Sequence, residues 1–152
     1  MALMAAAGLL GLPLAAQTIS GTVTYDGKVP TLKPIAMDAD PVCAKKHTPP
    51  VVNEMLVLGT GNSMANVLVS VSKGLPAGKS YPTPKEPVVM DQKGCKYIPH
   101  VMGIMVNQPF KILNSDGLLH NVHALPKLNK PFNMAMPATR TEALETFTKE
   151  EG

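Results

Sequence analysis

Fifteen prolines are scattered from Pro13 to Pro137, and no other feature limits the fold of this chain so strongly. Each fixes φ and removes a backbone donor, so neither a long helix nor a central strand can run through one. A helical bundle is excluded. What remains is a set of short elements joined by turns. The apolar content of 45% is too high for a disordered chain, and 152 residues give room for one domain with a real core. A formal charge of +3, spread along the sequence, is too mild to argue for nucleic acid.

Met1 to Gln17 (MALMAAAGLLGLPLAAQ) is apolar, uncharged and ends in small residues. It has the form of the apolar region and cleavage site of a secretory signal, without the positive region that normally precedes them. It is too short and too interrupted, by Gly8, Gly11 and Pro13, for a good membrane span. Residues 1–17 are therefore expected to be a partial signal peptide and residues 18–152 the folded domain. This places the protein in a periplasm or otherwise outside the cell, with no membrane attachment beyond the export signal. Cys43 and Cys95, an even count in an exported chain, suggest one disulfide. A metal thiolate at one of them is the sharper alternative.

Strand patterns recur at short intervals. Thr18–Tyr25 alternates and ends at Asp26-Gly27, and Lys33–Asp38 is a second short candidate. Asp40-Pro41 can cap and start a helix through Cys43 to about His47. Ala65–Lys73 has Val67, Val69 and Val71 on one face, the clearest strand pattern present. Val88–Gln92, Lys96–Val101, Ile104–Val106, Phe110–Leu113 and Leu118–Leu125 follow. Pro126–Pro137 reads as irregular. Ala143–Lys149 alternates Leu144, Thr146 and Thr148 against Glu145 and Phe147. Some eight short strands with Gly/Pro turns predict an all-β sandwich.

The chemistry-bearing stretch is Asn114-Ser115-Asp116-Gly117-Leu118-Leu119-His120-Asn121-Val122-His123. Imidazoles ligate copper and zinc, and each needs an acceptor to orient its second nitrogen. On a strand, His120 and His123 point to opposite faces, so only one readily serves a given site. A surface histidine, or a core histidine bonded to backbone, accounts equally for either one.

Asn114-x-Asp116 followed by His120-Asn121 resembles the segment that supplies the first copper histidine in cupredoxins of the plastocyanin and amicyanin type. The longer run from Val89-Met90-Asp91-Gln92-Lys93-Gly94-Cys95, through Tyr97, Pro99-His100-Val101 and Asn114-Ser115-Asp116, to His120-Asn121-Val122-His123 is similar to exported cupredoxin-like proteins. Some of these are named methylamine utilisation proteins. The resemblance spans about residues 18 to 149. It implies a Greek-key β-sandwich and one-electron transfer through type 1 copper, with a redox protein as partner. His120 matches the first ligand position and His123 is the second candidate. Asn121 would tie the ligand-bearing loops together, and Asn114 and Asp116 would support the ring from outside the ligand set.

The chain departs from this pattern at its C-terminal end. The family carries a Cys, a His and usually a Met after the first histidine, and no cysteine follows His120. The resemblance therefore implies a domain lacking its final strand and ligand loop, with type 1 copper expected only in the complete protein. Cys95-x4-His100, with Met102 and Met105, imitates the missing loop but precedes His120. Ten methionines invite a Cu(I) carrier, but are read first as filler for a core short of aromatic residues. His47 suits the C-terminal end of its short helix, and Lys45, Lys46, Lys127 and Lys130 suit a solvated face or the steering of an acidic partner. Two alternatives thus stand beside electron transfer: a metal-free β-sandwich acting as a binding or structural module, and a periplasmic copper carrier without redox turnover. No phosphate loop, nucleophile elbow or His-Glu-x-x-His motif is present, so no enzymatic activity is expected.

Overall fold

The computed structural model describes residues 18–152; the signal-like segment 1–17 lies outside the described residues. One short helix, α1 (Pro41–Lys46), precedes six strands: β1 (Val88–Gln92), β2 (Tyr97–Ile98), β3 (Pro109–Asn114), β4 (His120–Ala124), β5 (Phe132–Met136) and β6 (Glu142–Thr146). The chain is mostly strands, in two sheets, as its turn-rich composition predicts. One sheet has the order β2-β1-β3-β6; the other is the pair β4-β5.

α1 forms where Asp40 and Pro41 direct it. The Asp40 carboxylate accepts from the N–H groups of Val42 at 2.7 Å and Cys43 at 3.3 Å, two donors that a helix start leaves unpaired. Lys45 and Lys46 in the last turn complement the helix dipole.

β3 alternates strictly, with Phe110, Ile112 and Asn114 buried on one face. It runs parallel to β1, Met90 opposite Ile112, and antiparallel to β6, Ile112 opposite Ala143. In the second sheet Val122 lies opposite Met134 and His120 opposite Met136. One apolar cluster draws on both sheets: Met90, Phe110, Ile112 and Ala143 from the first, Val122, Met134 and Met136 from the second. Ile112 and Met136 are fully buried at its centre. Burying a side chain of that size contributes roughly 2 kcal/mol. Phe147 closes one end against Phe110, with ring centroids 5.9 Å apart.

Several expected strands take other forms. Ala65–Lys73 is not a strand: Val67, Leu68, Val69 and Val71 are all exposed, and no described strand pairs with the segment. Alternation specifies a face, but a strand also needs a hydrogen-bonding neighbour. Thr18–Tyr25 contributes only the bridge Thr24–Ser63, and neither Lys33–Asp38 nor Ile104–Val106 joins a sheet. Lys96–Val101 shrinks to two residues, because Pro99 cannot continue the ladder. Pro126–Pro137, read as irregular, contains β5, whose five residues fit between Pro131 and Pro137 and bury Met134 and Met136. In β6 the alternation runs as the sequence has it, Leu144 and Thr146 against Glu145, and the structure adds which face turns inward. Ala143 faces the core and Leu144 is exposed, because pairing with β3 sets Ala143 against Ile112.

β1 and β2 form a tight hairpin. The Lys93 N–H donates to the Lys96 carbonyl at 3.0 Å, and Gly94 and Cys95 between them both have positive φ, +63° and +55°. This is the backbone sense of the two-residue turns that match strand twist. Glycine suits the first position, where any Cβ would also stand 3.6 Å from the His47 ring.

Candidate metal centre around His120

Cys43 and Cys95 form a disulfide, so α1 is covalently fixed against the β1–β2 turn. No free cysteine remains. The bond brings two further α1 groups to the same place. Lys46 lies one helical turn beyond Cys43, on the same face, and pairs with Asp116. The His47 ring donates from Nε2 to the Gly94 carbonyl at 2.6 Å. Lys46 is thus tied down rather than part of a free basic face, and His47 does more than end a helix.

Asp116 is the hub of the site. It lies in the β3–β4 turn, which Asn114 shapes from beneath. The Asn114 amide donates to the carbonyls of Leu118 at 2.8 Å and Met136 at 2.9 Å, and its oxygen accepts from the Asp116 N–H at 3.3 Å. Gly117, at φ +67°, completes the turn. The Asp116 side chain is only 3% exposed. Its Oδ1 accepts from Lys46 and from the Gly94 N–H at 2.8 Å; its Oδ2 accepts from the Cys95 N–H at 2.7 Å and from His120 Nε2 at 2.7 Å. Burial by itself would raise the carboxyl. The Lys46 ammonium, the Cys95 N–H, His120 and the Gly94 N–H together outweigh it and hold Asp116 far below the ordinary carboxylate range.

His120 opens β4 with its ring on the inner face, across the ladder from Met136. His123 points the other way and is exposed. Asn121 is also on the outer face. Its amide donates to Asn133 on β5, and its carbonyl accepts from the Tyr97 hydroxyl at 2.6 Å. Its side chain is therefore committed to the neighbouring strand. His100 is drawn to Glu54, with Nδ1 and Oε2 3.3 Å apart, and the same carboxylate accepts from Lys96 at 2.7 Å. Lys96 and His100 keep Glu54 below its ordinary value. A groove lined by Met102, Ile104, Leu125 and Phe147 lies toward the far end of β4 and does not include His120.

No protein-family model, curated protein or solved structure matches this chain.

The residues themselves then decide what the site can hold. Type 1 copper asks for a thiolate, two imidazoles and a weak axial donor. Among the described residues His120 is the imidazole whose ring is fixed by a buried carboxylate, an acceptor of the kind a metal-ligating histidine uses. The thiolate is missing, since both cysteines are oxidised to the disulfide. His123, His47 and His100 are turned elsewhere. The described residues therefore fit one ligand position and not the full set, and no electron-transfer step belongs to them alone. Cys95, Asp116 and His120 do place three potential donors within 4.8 Å of one another. That sulfur is held in the disulfide and the carboxylate is saturated, so the trio is a hydrogen-bonded cluster rather than a second metal site.

Sequence reasoning singled out Asn114, Asp116 and His120 together, and the fold brings them together. It missed Lys46 and His47. The available signal was the three-residue step from Cys43 to Lys46, which becomes informative once Cys43 is paired with Cys95.

Proposed function

We propose that this chain belongs to an exported, cupredoxin-like copper protein that carries single electrons when its ligand set is complete. His120 is its first copper ligand. The reading requires a thiolate, a second imidazole and an axial donor that the described residues do not supply. The observation that carries this reading is the inward-facing His120 ring, held at one edge by a buried carboxylate. Support also comes from the two sheets packed around one core. Under this reading the protein works in a periplasm with a redox partner, His123 is spare, and the buried Met90, Met134 and Met136 are core rather than Cu(I) ligands.

A metal-free binding module is the second reading, favoured by the exposed apolar run Val67–Val71. Sequencing the gene beyond the codon for Gly152 separates the two. Electron transfer requires a Cys followed within a few residues by a His and a Met. An open reading frame with no such cluster overturns it.

A further inference from the structure

The run Val67–Val71 lies on the surface with its main chain unpaired. The Ala65 N–H donates to the Val57 carbonyl at 3.0 Å; from Asn66 to Lys73, among the described residues, no further hydrogen bond joins this main chain to other backbone. Neither side of the run is buried: Leu68 is 68% exposed and its neighbour Val69 is 74% exposed, with Val67 and Val71 also open to solvent. Single exposed hydrophobes are ordinary, but a contiguous run of them is not. A strand-forming segment left open is normally blunted by charge or proline. Here no charged residue stands between Glu54 and Lys73, and no proline between Pro50 and Pro76. Asn66, at φ +60°, and Gly74, at φ +87°, turn the chain at either end, so the run is bounded on both sides.

We infer that Val67–Val71 is a self-association site, at which two copies of the chain pair antiparallel about a two-fold axis through Val69. The sequence is self-complementary in that register. Val67 of one copy meets Val71 of the other, Val69 meets Val69, and Leu68 meets Ser70. All the valines fall on one face, where β-branched cross-strand pairs are favourable, and a slip of one residue would break that match. Lys73 falls opposite Ala65, beyond the turn at Asn66, so no like charges oppose each other. The unpaired N–H and carbonyl groups of each run find partners in the other. Because the axis is two-fold, the contact closes as a dimer and does not propagate. Its small area makes that dimer weak and concentration-dependent. The proposal uses the same exposed run as the binding-module reading but needs neither that reading nor a metal.

Analytical ultracentrifugation of the disulfide-intact chain over a wide concentration range should show monomer passing to dimer and no further. Amide hydrogen exchange at Val67–Val71 should slow as the dimer forms. Val69→Lys sets two ammonium groups against each other on the axis and should weaken the dimer at least about tenfold. Val69 is exposed, so this variant should keep the parent's circular dichroism. Val69→Thr stays β-branched and should dimerise nearly as the parent does. Mild oxidation of Val69→Cys should give a covalent dimer, because directly paired residues lie about 4.5–5.5 Å apart, within disulfide reach. Val52→Cys, equally exposed but outside the run, should not. A chain that stays monomeric, a dimer that survives Val69→Lys, or a dimer without slowed exchange at Val67–Val71 would each overturn the proposal. Slowed exchange there caused only by a different protein, with the chain itself monomeric, would overturn self-pairing and leave the binding-module reading standing.

Discussion

Lys46 and Asp116, seventy residues apart in sequence, form an ion pair whose acidic member is almost wholly buried. Breaking a buried pair by removing one partner leaves the other charge uncompensated. Lys46 is one-third exposed, so solvent softens that effect. Asp116→Ala should destabilise the fold by roughly 3 kcal/mol at neutral pH, read as a shift in urea midpoint at unchanged slope.

The same carboxylate gives the fold an acid limb. Its folded-state value lies below its unfolded one, so the stability it contributes is fully present above the unfolded value near 4. That contribution drains away as pH falls below about 4. In Asp116→Asn the acid limb should flatten. An unfolding free energy that falls with acid as steeply as in the parent chain would show that other carboxylates dominate.

The disulfide closes a span of 52 residues, worth about 4 kcal/mol by the chain-entropy model. A thiol assay on denatured, unreduced protein should find no free thiol. The Cys43→Ala/Cys95→Ala variant should lose about that much stability. Because the clamp also holds Lys46 and the turn against Asp116, the exchange of the His120 Nε2–H should quicken in the same variant.

The β6 register makes opposite demands on adjacent residues. Ala143 is buried against Ile112 and Leu144 is exposed. Leu144→Lys should change stability by less than about 0.5 kcal/mol, whereas Ala143→Lys should prevent cooperative folding or cost several kcal/mol. Thermal melts followed by circular dichroism check both. The reverse ranking would contradict this register.

Some parts of the structure could be read in advance. α1 was legible because Asp40 and Pro41 act on their immediate neighbours, and β3 because Phe110 and Ile112 alternate on a strand buried on that face. The disulfide followed from compartment and count. The alternation of β6 was legible, but not which of its faces turns inward, because the pairing partner and not the strongest hydrophobe sets that. Val67–Val71 misled because a strand pattern supplies no partner strand. β5 was passed over because Met134 and Met136 are not strong strand formers. At the site, Asn114, Asp116 and His120 lie within seven residues and share one turn, so their grouping was visible. Lys46, His47 and the N–H groups of Gly94 and Cys95 reach Asp116 and its surroundings only through tertiary packing.

The central claim is that His120, and no other histidine, is the copper-accepting imidazole of residues 18–152. Titrating Cu(II) into the 15N-labelled chain while following all four histidine side chains by NMR tests it most directly. The account predicts that paramagnetic broadening strikes the His120 ring first, spares His47, His100 and His123 at low copper, and brings no intense thiolate-to-copper absorption. Early broadening at another histidine with His120 untouched, or a strong charge-transfer band from the chain alone, would contradict it.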